Sequence, residues 1–112
     1  MKQGDLYLVN LDPTLHTEIG KTRPALILSI DEMNTHLPRV LIAPISFNVQ
    51  RIYLHEVFIP AGSGGFAKDS KIMLDQLRSI DKRRLIRRIG QVSREIVRAA
   101  CNVAIELISP SQ

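Results

Sequence analysis

With 112 residues and 45% hydrophobic side chains, the chain is too apolar for disorder and suits one domain, residues 1–112, around one core. No apolar run nears the roughly 20 residues that cross a bilayer, and Met1–Asp5 lacks the apolar core of a secretion signal, so membrane and exported classes are set aside. The net charge of +4 is concentrated: residues 78–98 carry eight basic side chains against two acidic ones, +6, leaving −2 for the rest. That segment suits a polyanion or an acidic peptide.

In chain order, Gly4 to Leu11 reads as a strand with Leu6, Leu8 and Asn10 on one face and Tyr7, Val9 and Leu11 on the other. Asp12-Pro13 breaks it, and a polar loop follows with Thr14, His16, Thr17, Glu18, Lys21, Thr22 and Arg23. Ala25–Ser29 is a return strand, apolar enough to be buried on both faces. Asp31–Pro38 is a loop with a short helical turn. Arg39–Ser46 is a third strand beside Ala25–Ser29 in the centre of the sheet. Pro44 cannot donate to a ladder, so pairing is expected to falter there and to turn Ser46, Phe47 and Asn48 out of it.

Asn48–His55 reads as a loop, Glu56–Pro60 as a short strand, and Ala61–Phe66, with three glycines, as a flexible turn. Lys71–Leu74 and Gln76–Ile80 are strand segments with Asp75 between them. Asp81 caps a single turn, Lys82–Leu85. Ile89–Val92 is a last strand with Gly90 as a bulge. Ser93 caps a helix, Arg94–Ile108, whose stripe of Ile96, Val97, Ala100, Val103, Ala104, Leu107 and Ile108 faces the sheet or a dimer partner. Cys101, the one cysteine, flanks that stripe as a small apolar filler, excludes an internal disulfide and suits a reducing cytoplasm.

Two blocks carry a family resemblance. The first is Gly4, Asp5, Tyr7, then Asn10-Leu11-Asp12-Pro13-Thr14, Glu18, Arg23-Pro24 and Ser29; the second is K-D-S-K-I-M-L-D-Q-L-R-S-I-D-K-R-R-L, residues 68–85. In this order and at this length the chain resembles the MazF/PemK toxin endoribonucleases of type II toxin–antitoxin systems. The resemblance implies a mostly β fold with a C-terminal helix, a small SH3-like barrel of the CcdB/PemK kind. It also implies a homodimer, a MazE/PemI-like antitoxin partner, and cleavage of single-stranded RNA without a cofactor.

The residues are compatible with that chemistry. His16, His36 and His55 are scattered, and one cysteine offers no zinc pattern. The five aromatic residues are too few for a broad base-stacking platform. RNA brings its own nucleophile, the ribose 2′-hydroxyl, so the enzyme must move two protons and stabilise charge on phosphorus. By resemblance Arg23 is the catalytic arginine; as a permanent cation it suits the phosphorane better than a base role. Ser46 stands where the family has Thr and keeps the hydroxyl. Glu18 is the candidate base. Asp75 matches an acidic position of some members, although Met73 replaces their Arg two residues earlier. His16, one place from the loop histidine of some members, is a further proton carrier. Lys21, Thr22, Gln76, Arg78, Lys82 and Arg83 are the candidates for binding RNA or the antitoxin. A CcdB-like gyrase poison and a non-catalytic nucleic-acid-binding barrel are the rival readings; the Glu18/Arg23 loop and the L-D-Q-L-R-S-I-D block favour the nuclease.

Overall fold

The computed structural model describes residues 1–13, 15, 17, 18 and 20–111. Its elements are β1 (Asp5–Asn10), β2 (Thr22–Ile27), α1 (Asp31–His36), β3 (Arg39–Ser46), β4 (Glu56–Ile59), β5 (Ser70–Met73), β6 (Arg78–Asp81), β7 (Leu85–Gln91) and α2 (Arg94–Ile108). Short 3₁₀ turns at Leu74–Gln76 and Lys82–Arg84 join β5 to β6 and β6 to β7. All pairings are antiparallel, in the order β4-β5-β3-β2-β1-β7, with β6 also on β3.

The period-two alternation of the strands divides the interior into two clusters. Leu6, Leu26, Leu28, Ala43 and Ile45 face one, which α2 covers with Val97 and Ala100. Val9, Leu11, Ala25, Ile27, Val40, Ile42 and Ile80 fill the other. This is why β2 and β3 read as unbroken apolar runs: each feeds both clusters, and each Leu or Ile buried there is worth about 1.5–3 kcal/mol. In β1 the expected two faces are found, with Leu6 in one cluster and Val9 and Leu11 in the other.

β3 holds the sheet together and bends it. Its register with β2 runs Ala25↔Pro44, Leu26↔Ala43 and Ile27↔Ile42. Leu28 N donates to Leu41 O, so the polar groups of Leu41, Ala43 and Ile45 point to β2 and those of Ile42, Pro44 and Ser46 to the other edge. On that edge β6 pairs along Arg39–Ile42 and β5 takes over at Ile45–Ser46. The N–H that Pro44 lacks thus falls in the gap between the two ladders.

Several boundaries differ from the sequence expectation. β2 starts at Thr22 rather than Ala25, because Thr22 and Arg23 pair with Asn10 and Val9 through their backbones. Ser46 stays in the ladder, opposite Lys71, and only Phe47 and Asn48 leave it. Asp75 lies in a 3₁₀ turn that takes Gln76 with it, so β6 begins at Arg78. β7 is longer than Ile89–Val92; it reaches Leu85, and its register against β1 slips twice, once next to Gly90. Ser93 caps α2 by accepting from Ile96 N, and Asp81 accepts from Arg83 N, both as expected. The last turn of the helical stripe is not covered by this chain: Leu107 and Ile108 are exposed.

The sheet is barrel-like rather than closed. Among the described residues no ladder joins β4 to β7; the Ala61–Phe66 turn packs there instead. A Cβ on Gly90 would meet Gly64 O, and one on Gly65 would come within 3.1 Å of Ile89 O. Backbone thus lies directly on backbone, which only glycine allows. Gly90→Ala should therefore lower unfolding stability by about 1–3 kcal/mol. Urea denaturation would test this; a change below about 0.5 kcal/mol would mean that the turn is not seated on β7.

Candidate active site

The register places two of the expected residues together. Arg23 and Ser46 each lie two positions beyond the Ala25↔Pro44 pair, at the same end of β2 and β3. Opposed residues of an antiparallel pair share a face, so both side chains sit on the Ala25/Ile42 side, at the rim of the second cluster. Arg78, opposite Ile42, shares that face, and its Nη1 donates to Leu11 O at 3.4 Å. Arg23 Nε donates to Gly20 O at 3.3 Å.

Glu18, Asp75, Gln76 and Arg78 line one cleft of about 450 Å³, together with Thr17 and Leu77. Such a volume suits a small polar ligand. The connection after β1 reaches the cleft under restraint: Leu15 N donates to Glu18 Oε1 at 2.7 Å, and Lys21 N donates to Asp12 Oδ1 at 2.7 Å. Lys21 takes a φ of 64°, and Leu11 N closes the loop on Lys21 O. Asp12 therefore shapes the loop, as expected from its place in the turn. Arg84 donates to the carbonyls of Asn10 and Asp12, so two arginines, Arg78 and Arg84, tie down the loop's first residues. His16 and Thr14, both singled out in the sequence, lie outside the described residues.

Thr22 and Lys21 stand beside Arg23 at the start of β2. Lys82 and Arg83 do not line the cleft. They occupy the turn after β6, where Asp81 pairs with Arg39 at the opposite end of β3 from Ser46. Arg83 folds back on Asp81, with Nε and Nη2 each 3.0 Å from a carboxylate oxygen.

Four side chains next to these were not assigned to the site from sequence. Lys71 is the cross-strand neighbour of Ser46, buried, and 3.0 Å from the Glu56 carboxylate. His55 Nε2 is 3.6 Å from Asp75 Oδ2, and its ring stacks on Tyr53. These residues come from a loop and from β4 and β5, so no spacing in the sequence links them. His55, Glu56 and Asp75 also bring three potential ligand atoms within 4.8 Å of one another. Glu56, however, already holds the Lys71 ammonium and accepts from Tyr53 N, and that ammonium opposes a second cation.

Residues 2–108 match the family of PemK-like, MazF-like toxins of type II toxin–antitoxin systems. The chain belongs to this family. It is 36% identical over 112 residues to Endoribonuclease EndoA of Bacillus subtilis, covering 96% of this chain and 97% of that protein. It is also 36% identical over 98 residues to Endoribonuclease MazF9 of Mycobacterium tuberculosis, covering 83% of each. The fold matches the crystal structure of MazF from Deinococcus radiodurans with a TM-score of 0.86, at 24% identity, over 98% of this chain and 97% of that one. The strand order and terminal helix are thus those of a MazF-type toxin.

The Asp81–Arg83 pair generates a pH prediction. The hydrogen bonds from Arg83 lower the Asp81 carboxyl from 3.8 to about 2. The folded carboxyl keeps its charge to a lower pH than the unfolded one, so the pair stabilises fully above about pH 4 and is lost as pH falls towards 2. Asp81→Asn should therefore be less stable than the parent at pH 6 in urea titrations, and the difference should shrink towards pH 2. A difference constant over that range would contradict the ion-pair account.

Proposed function

We propose that this MazF-type toxin endoribonuclease cuts single-stranded RNA at a short sequence without a metal ion. The ribose 2′-oxygen attacks the adjacent phosphorus, the P–O5′ bond breaks, and a 2′,3′-cyclic phosphate and a 5′-hydroxyl result. The observation that carries the reading is the β2/β3 register, which supports Arg23 and Ser46 acting from one strand end on one phosphate. The Arg23 guanidinium stabilises the charge that develops on the non-bridging oxygens, and the Ser46 hydroxyl hydrogen-bonds one of them. Glu18, anchored by one carboxylate oxygen, takes the 2′-proton. Asp75 serves the cleft as a positioning carboxylate, and the leaving 5′-oxygen takes its proton from His16 or from water.

Gln76, Arg78, Lys21 and Thr22 bind the strand around that phosphate. Lys82 and Arg83 extend the basic surface away from it. The protein acts in the cytoplasm as a homodimer held by a MazE/PemI-like antitoxin. The apolar groove of Leu28, Leu41, Leu77, Cys101, Ala104, Ile105 and Ile108 supports a protein partner on that side. The Lys71 ammonium on Glu56 supports a metal-free mechanism.

Purified, antitoxin-free protein should cut a mixed-sequence single-stranded RNA in EDTA; intact RNA would refute the reading. Arg23→Ala should lose at least about 10²-fold in rate while the protein stays folded. Glu18→Gln should lose about 10²–10⁴-fold. Single-turnover cleavage and circular dichroism measure both, and near-parental rates would remove the residue from the mechanism.

A further inference from the structure

We infer that the stacked rings of Tyr53 and His55 form a nucleobase-stacking subsite that seats one base of single-stranded RNA beside the scissile phosphate. The inference deepens the RNA-cutting reading and rests on it. The two rings lie 5.5 Å apart between centroids and 8° from parallel. They come from positions two apart in the turn that leads into β4, with Leu54 between them 98% exposed. Tyr53 itself is 48% exposed, so the stack is not part of either core cluster.

The segment is nevertheless held firmly. Tyr53 N donates to Glu56 Oε1 at 2.9 Å and Glu56 N to Tyr53 O at 3.0 Å. Leu74 N donates to His55 O, and Lys71 Nζ to Arg51 O at 3.0 Å. A solvent-facing aromatic surface fixed by four hydrogen bonds is preorganised for a flat ligand, since little ordering cost remains to be met on binding.

Charge and position identify the ligand. The Arg51 guanidinium carbon lies 5.5 Å and Lys71 Nζ 5.6 Å from the centre of the Tyr53 ring. Aromatic faces beside cations are how single strands are held, the rings taking the base and the cations the backbone. Here exposed Arg51 takes the backbone, while buried Lys71, held by Glu56, fixes the platform. Lys71 is the strand neighbour of Ser46, and His55 contacts Asp75, which lines the cleft. The platform is thus continuous with the proposed phosphate site on both sides. Because every base has a π face, it supplies affinity and position rather than base identity.

The test uses two probes and the full-length protein. The first is a fluorescein-labelled pool of single-stranded RNA with 2′-fluoro riboses, which cannot be cut; the second is an RNA carrying the mapped cut sequence, with an abasic residue at each position in turn. Tyr53→Ala should weaken binding of the first probe about tenfold or more by anisotropy. It should raise KM equally on the second while kcat stays within about twofold. Tyr53→Phe should behave as the parent. One abasic position should weaken the parent about tenfold and cost Tyr53→Ala nothing further. Unchanged binding by Tyr53→Ala, or abasic penalties that add in full to the mutation at every position, would overturn the subsite. Parent protein that binds the first probe but cuts nothing would defeat the nuclease reading alone, with the anisotropy comparison still deciding the subsite. Parent protein that binds no RNA would defeat both.

Discussion

The arrangement of the molecule depends on one strand with two different neighbours on one edge. β3 pairs with β2 along one side, while its other side is shared by β6 and then β5. The change of partner falls at Pro44, whose missing N–H would have been an unpaired position in any continuous ladder. A continuous ladder would give a flatter sheet with β5 and β6 as one strand. The break instead lets the chain turn at Leu74–Gln76, and that turn carries Asp75 and Gln76 to the cleft. Arg78 then re-enters pairing opposite Ile42, on the same face as Arg23 and Ser46.

The basic segment has a more divided role than its composition suggests. Arg78 and Arg84 spend hydrogen bonds on the carbonyls of Leu11, Asn10 and Asp12, fixing the start of the loop that bears Glu18. Arg88 pairs with Asp5, and Arg83 with Asp81. Hydrogen-bonding a carbonyl does not discharge a guanidinium, so Arg78 and Arg84 still contribute positive potential beside the cleft. One set of side chains therefore positions the loop and sets the field that a phosphate would meet.

What could be read from the sequence was whatever is written in local pattern. The two-faced apolar runs, the glycine turn, the caps at Asp81 and Ser93 and the break at Pro44 each depend on neighbouring residues. The polarity of Thr22 and Arg23 reads as loop and hides a backbone pairing with Asn10 and Val9. The Arg23/Ser46 placement became visible only through a register, and register is decided by the whole sheet. Lys71 and Glu56 meet across β4 and β5 with no sequence signal, and a strand lysine would ordinarily be taken as an edge charge facing water. The Tyr53/His55 stack is equally hidden, since five scattered Tyr and Phe residues argue against a platform and a histidine is not counted among them until its ring lies on Tyr53.

The Lys71–Glu56 pair explains how an irregular segment can hold chemistry at a strand end. Both side chains are largely withdrawn from water, and such pairs seldom add much net stability, because desolvation offsets most of the attraction. Two apolar residues could fill the same space. They could not also accept from Tyr53 N and donate to Arg51 O, which this pair does. Its value lies in orientation: a carboxylate and an ammonium that satisfy each other and the backbone fix where residues 51–56 run relative to Ser46. Removing one partner would strand a charge in the interior, so the segment is tied to the folded sheet as closely as the strands themselves.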